Sequence, residues 1–110
     1  MAREYRKAIY AVTRKFPKDE QFGLTNQLRR AACSVSANIA EGYGRYSLQE
    51  TAQFCLMARG SLNETLDQLY VALDEGYVDR ETFDALYEQG RAVEQVLNGY
   101  IAHLRRQGQA

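Results

Sequence analysis

A chain of 110 residues, 45% hydrophobic and 25% charged, is one globular domain's worth and too apolar for a disordered tail. Its formal net charge of zero argues against a protein that coats nucleic acid by bulk charge. The charge is nevertheless uneven. Residues 1–45 hold nine Lys and Arg against four Asp and Glu, and residues 46–110 hold five against ten, so the halves carry +5 and −5. Such a dipolar chain can steer a polyanion to its basic part or pair with a copy of itself, although solvated helix faces give the same count.

The first helix is expected near residues 2–15. Tyr5, Ala8, Ile9 and Val12 recur at helical spacing, and Arg3, Arg6, Lys7, Tyr10 and Arg14 fall on the opposite side. Pro17, the single proline, disfavours helical geometry at Phe16 and opens a polar break that runs to Gly23. The second helix is expected near 25–43, with Thr25 as its N-cap and Leu24, Leu28, Ala31, Ala32, Val35 and Ile39 as its core face. Gly42 or Gly44 can end it in the left-handed conformation. Ser47-Leu-Gln-Glu50 has the form of a capping box and starts a third helix near 48–75. There Leu48, Ala52, Cys55, Leu62, Leu66, Leu69 and Leu73 keep a near-heptad rhythm up to Gly76. Asp79 can cap a fourth helix near 80–106, whose stripe is Phe83, Leu86, Gly90, Val93, Leu97, Tyr100, Ile101 and Leu104. No segment alternates with period two over the length of a strand. The expected fold is all-α: one antiparallel, up-down-up-down four-helix bundle over residues 1–110.

Two further arcs run along the second helix. Arg30, Ser34, Asn38, Glu41 and Arg45 lie three or four residues apart beside the core stripe. Arg59, set within the apolar arc of the third helix, reaches to the rim or pairs with a carboxylate, for which Glu41 is the candidate; Glu41 could instead pair with Arg45. Ser34, Asn38, Glu41 and Arg59 would then form a polar seam that fixes helix register; contact with nucleic acid, a protein partner or solvent are the alternatives for this arc. Cys33, Ser36, Ala37 and Ala40 are small enough to admit another helix closely. With Leu56 and Met57, which fall off the core arc as Val71 does, they are the candidate oligomer interface, and a core-edge position is the alternative. Arg3, Arg6, Lys7, Tyr10 and Arg14, with Arg30 and Arg45, are the candidate nucleic-acid contacts.

Catalytic constellations are missing from the sequence. His103 stands alone, no GxxxxGKS/T, GxSxG or HExxH occurs, and Gly42-Tyr-Gly44 follows no strand. Neither an enzyme nor a cofactor or metal site is expected. Cys33 and Cys55 lack metal-type spacing and suggest reduced, buried thiols, with a disulfide between adjacent helices as the alternative. The charged N-terminus and the absence of an apolar run near ~18 residues predict no signal peptide and no membrane span, hence a cytoplasmic location.

Phe16-Pro-Lys-Asp-Glu, Gly23-Leu-Thr-Asn-Gln-Leu-Arg-Arg-Ala-Ala32 and Asn38-Ile-Ala-Glu-Gly-Tyr-Gly-Arg45 resemble the four-helix-bundle family named for 23S rRNA intervening sequences. Gly60-Ser-Leu62 with Glu64, Gly76-Tyr77 and Leu97-Asn-Gly99 extend the resemblance over nearly the whole chain. It implies a ring-like homo-oligomer, typically a pentamer. The related accessory variability determinant proteins of diversity-generating retroelements, which bind nucleic acid and a reverse transcriptase through basic surfaces, share the implied fold. Ser36 stands where the family often has proline, so the kink a proline gives is not implied there; the family's aromatic lead-in to the first helix is absent, so part of the first-helix packing, or of an end-on contact, is expected to be missing. Two functions follow as expectations: a nucleic-acid-binding accessory protein acting on RNA or DNA, or a scaffold bundle that binds a larger protein and no nucleic acid.

Overall fold

The computed structural model describes residues 1–109, and among these no strand occurs. Helix α1 spans Ala2–Thr13, a 3-10 turn Lys18–Glu20, α2 Leu24–Tyr43, α3 Leu48–Asp74 and α4 Arg80–Gln109. The four helices pack against one another, each on the next along the chain, and α4 closes against α1. The result is a rod of 50 × 24 × 18 Å.

Helix ends follow side-chain chemistry. Thr25 does not cap α2; it is buried inside the first turn, and the Glu20 carboxylate accepts the Leu24 N–H instead, at 3.2 Å. The Ser47 hydroxyl accepts the Glu50 N–H at 3.2 Å, and the Asp79 carboxylate accepts the Thr82 N–H at 2.7 Å. Neither Gly42 nor Gly44 turns left-handed. Gly76 does, at φ 76°, where the Tyr77 N–H reaches the Ala72 carbonyl at 2.8 Å and the Gly76 N–H that of Leu73 at 3.1 Å. This is the reciprocal pattern that satisfies the last carbonyls of a helix.

The core runs the length of the rod. Tyr5, Ile9, Leu28, Val35, Leu62, Leu69 and Ile101 are its fully or almost fully enclosed side chains. Two expected core positions lie outside it: Leu48 and Tyr100 are 44% and 42% exposed. Leu56 packs half-buried against the core, at its edge. Across the middle, Tyr5 donates to the Thr65 hydroxyl at 2.8 Å, and Thr65 donates on to the Leu62 carbonyl at 2.6 Å. A polar pair is thus fully satisfied inside an apolar core, as burial requires. Gly90 leaves the room for it, because a Cβ there would stand 2.8 Å from Leu66 and 3.0 Å from the Tyr5 oxygen.

Gly42 has a similar role where α2 meets α3. Its Cβ would lie 2.8 Å from the Cβ of Phe54, an atom tied to the α3 backbone that cannot swing aside. Thr51 donates to the Gly42 carbonyl at 3.1 Å across the same crossing. Gly42→Ala is expected to destabilise the fold by about 1–3 kcal/mol despite alanine's better helix propensity, because the two backbones must separate. A urea titration of wild type and variant measures the difference.

The two ends of the stability–pH curve have named groups. Burial pushes the Tyr5 hydroxyl up to about 12, with the Thr65 bond a smaller opposing effect. The hydrogen bond to Glu20, made at 2.7 Å, and then burial, raise Tyr77 to about 12 as well. Glu20 is held below the usual carboxylate range by that bond and by the Leu24 N–H. Both tyrosines bind their protons more tightly folded than unfolded. Their contribution is complete below the unfolded value of about 10 and is lost as pH rises through 12. Glu20 contributes above the unfolded carboxylate value of about 4.3 and loses its contribution as pH falls through its lowered folded value. Melting temperature should therefore fall above pH 10 in step with phenolate absorbance. Tyr5→Phe should remove part of the alkaline fall.

Candidate nucleic-acid interface

Helix α1 is short, 12 residues against 27 and 30 for α3 and α4, and one polar cluster holds its C-terminal half to α2. Arg29 donates through Nε to the Thr13 hydroxyl at 2.8 Å and through a terminal nitrogen to the Tyr10 carbonyl at 3.4 Å. Its guanidinium lies over the Tyr10 ring, 4.7 Å from the centroid, a cation–π contact. The Tyr10 hydroxyl meets the Cys33 sulfur at 3.3 Å. That bond, then burial, raises the Tyr10 pKa, while Arg29 and Arg6 oppose the rise. Tyr10 is therefore not on the free face of α1 where its wheel position puts it. It is half-buried against α2, because α1 packs on α2 with this edge as well as with its Tyr5–Ile9 stripe.

Alongside this cluster runs an open groove of ≈ 380 Å³ lined by Tyr10, Asn26, Arg29, Arg30, Cys33, Ser34 and Ala37, with no carboxylate. Arg6 and Arg14 stand one turn before and one turn after Tyr10 on α1, half-exposed and exposed, and Arg3 and Lys7 are exposed toward its start. Of these, Arg6 acts on the Tyr10 hydroxyl together with Arg29, whereas Arg3, Lys7 and Arg14 do not line the groove. Arg30 and Ser34 also line a second depression, a polar cleft of ≈ 320 Å³ between α2 and α3 that includes Gln27, Ser61 and Glu64.

The remaining candidates separate. Arg45 lies past the end of α2, in an ion pair with Glu41 and with its guanidinium 4.7 Å from the Phe54 ring centroid, so it is not part of the groove. The Glu41 carboxylate is engaged there, at the i+4 position, and does not serve Arg59. Arg59 faces α4 instead and donates to the Asn98 side-chain oxygen at 2.8 Å. Ser34 accepts from Asn38 at 3.0 Å and from Ser61 at 2.8 Å, a link between α2 and α3 that excludes both Glu41 and Arg59. Of the small-residue arc, Cys33 and Ser36 are half-buried and only Ala37 and Ala40 are exposed; Met57 is exposed on α3. Both cysteines are free thiols.

A different apolar surface had no signal in the wheel positions. Met1 meets α4 beside Val93 and Val96, so α4 runs on past the end of α1. There Ile39, Tyr43, Cys55, Val96, Leu97 and Tyr100 line an apolar groove of ≈ 150 Å³. Among the described residues no group of three or more His, Cys, Asp or Glu side chains is placed to hold a metal, and no helix is long and apolar enough to cross a membrane.

Residues 1–99 match the family described as 23S rRNA-intervening sequence protein. The fold is also that of a crystal structure of a protein of unknown function from the S23 ribosomal protein family, from Bacteroides thetaiotaomicron VPI-5482. The TM-score is 0.85 at 21% identity, over 91% of this chain and 94% of that one. No curated protein sequence matches the chain. With residues 1–99 of its 110 matched, the chain belongs to the 23S rRNA-intervening sequence protein family.

Proposed function

We propose that this protein is a non-enzymatic homo-oligomer of up-down-up-down bundles that binds single-stranded RNA or DNA in the cytoplasm. The observation that carries the reading is the carboxylate-free groove that Arg29 and Arg30 line beside Tyr10 of α1. Arginines attract phosphates, the sequence-independent part of nucleic-acid binding. One such groove is a weak anchor. Repeated around a closed ring, five copies by the family resemblance, weak contacts reinforce one another through effective concentration. Free Cys33 and Cys55 suit a reducing compartment. A gel-shift titration at low salt with single- and double-stranded RNA and DNA tests the reading; no retained species at tens of micromolar protein would sink it.

The apolar groove at the far end of the rod favours a protein contact in addition, whether a second copy or a larger partner such as a reverse transcriptase. Met1, Tyr43, Tyr46, Leu48, Val96 and Tyr100 are all exposed there. Such a concentration of apolar side chains at one end is what an interaction site presents. If copies associate through this end, Val96→Glu should dissociate the assembly without unfolding the subunit, because Val96 is 56% exposed. Light scattering at micromolar concentration decides: a wild-type monomer rules out self-assembly, and an undisturbed Val96→Glu oligomer rules out this end as its interface.

A further inference from the structure

The groove and the polar cleft share a wall. Arg30 and Ser34 line both, so a nucleotide whose phosphate lies beside Arg29 has its base at the open mouth of the cleft, outside the Ser34–Ser61 and Gln27–Gln68 bonds that join α2 to α3. The cleft's ≈ 320 Å³ is within the usual range of small-ligand sites. Its polar groups are of both kinds. On the α2 wall stands the Arg30 guanidinium, a donor only; on the α3 wall stands the Glu64 carboxylate, an acceptor only. Neither takes part in an ion pair among the described residues. Glu64 is held in place from below. Gln68, buried on α3, donates to Glu64 Oε1 at 3.3 Å and to the Gln27 side-chain oxygen at 3.4 Å, tying the two walls together. Glu64 Oε2 has no described hydrogen-bond partner. Serine hydroxyls at 34 and 61, bonded to each other at 2.8 Å, form part of the lining.

Building on the nucleic-acid reading above, we infer that this cleft takes an unpaired guanine, with Glu64 on its Watson–Crick edge and Arg30 on its O6/N7 edge. A carboxylate is satisfied in full by two parallel donors, and guanine's ring N–H and 2-amino group supply them. Adenine and cytosine offer one amino group beside an acceptor. Uracil offers one ring N–H flanked by two carbonyls, which a carboxylate repels. On the other edge, O6 and N7 are the paired acceptors that an arginine fork grips. Guanine alone among the bases presents both pairs at once. In a duplex its Watson–Crick edge is occupied, so the site selects single strands.

Fluorescence anisotropy with the intact protein tests this, using labelled uridine-tract RNAs that carry isolated guanine, inosine or adenine. The guanine RNA should bind about tenfold more tightly than the adenine RNA, the discrimination of one good two-bond contact. Inosine lacks the 2-amino group but keeps N1–H, O6 and N7, so in the wild-type protein it should bind between the guanine and adenine RNAs, a comparison that needs no variant. Glu64→Gln, at an exposed position, should bring the guanine-to-inosine ratio close to one. Equal wild-type binding of guanine and inosine RNAs would overturn the guanine site and leave the general nucleic-acid reading standing. If no RNA binds, that reading itself fails and the guanine site goes with it.

Discussion

Tyr5→Ala is expected to cost about 3–5 kcal/mol and to release α1 before the rest of the bundle unfolds. Tyr5 is completely enclosed, it touches both Thr65 and the space above Gly90, and it is the largest side chain that α1 contributes to the core. The partner left behind is not orphaned, because Thr65 keeps its bond to the Leu62 carbonyl. The loss is therefore mainly apolar contact and cavity. Helix α1 has 12 residues, at the margin below which an isolated helix does not persist in water, so its order depends on docking. Ile9, Thr13 and the Arg29 cluster remain as anchors, but none replaces the volume of Tyr5. Hydrogen exchange should show fast exchange confined to residues 2–13 at small loss, and global exchange only as denaturant is added. Uniform acceleration across all four helices would mean that α1 is not a separate unit of stability. Tyr5→Phe, which removes one hydrogen bond, should cost only about 0.5–1.5 kcal/mol.

The fold was legible in the sequence because helix periodicity and capping chemistry are local. Pro17, Ser47, Gly76 and Asp79 mark element ends by their own backbone or side-chain preferences, and the structure places the ends there or within a few residues. The errors share one cause, that a helical wheel shows which residues are neighbours on one helix and nothing of what stands opposite. Arg59 was legible as a charge inside an apolar arc, but its partner is Asn98 on α4, and Glu41 is taken by Arg45 four residues on. Tyr10 sits opposite the Tyr5–Ile9 stripe on the wheel, yet α2 is near enough to meet its hydroxyl with Cys33. The basic residues of α1 were visible as a face. The role of Arg29 in holding α1 was not, because Arg29 adjoins Leu28 and Arg30 with nothing to distinguish it until α1 is laid across α2. Gly42 looked like a helix terminator and is instead a point where α3 lies too close for a side chain on α2. That crossing, with the Asn38–Ser34 bond and the Glu41–Arg45 pair, gives the Asn38–Arg45 stretch a structural role at the α2–α3 corner.

Reversing Arg6 and Arg14 together to Glu is expected to weaken nucleic-acid binding more than any other pair of exposed substitutions. These two residues stand one turn before and one turn after Tyr10 in the chain, and neither has a described hydrogen bond or ion pair, whereas Arg29 has Thr13 and Tyr10. Phosphate attraction works by releasing counterions, and for single strands each contact contributes roughly 0.7 to the slope of log affinity against log salt. Losing two contacts should therefore flatten the slope by roughly 1.4 per groove engaged. The two added carboxylates repel the strand as well, so affinity at low salt should fall beyond what neutral substitutions give. The loss should be the same for guanine-containing and uridine-only strands, because phosphates carry no sequence information. That uniformity separates this double variant from Glu64→Gln, which should change the ratio between strands. Oligomeric state and melting temperature should stay near wild type, since surface charges away from buried partners shift stability little. An unchanged salt slope in the double variant would show that α1 is not the phosphate-binding wall, and an electrostatic footprint on Arg30 and α3 alone would have to replace it.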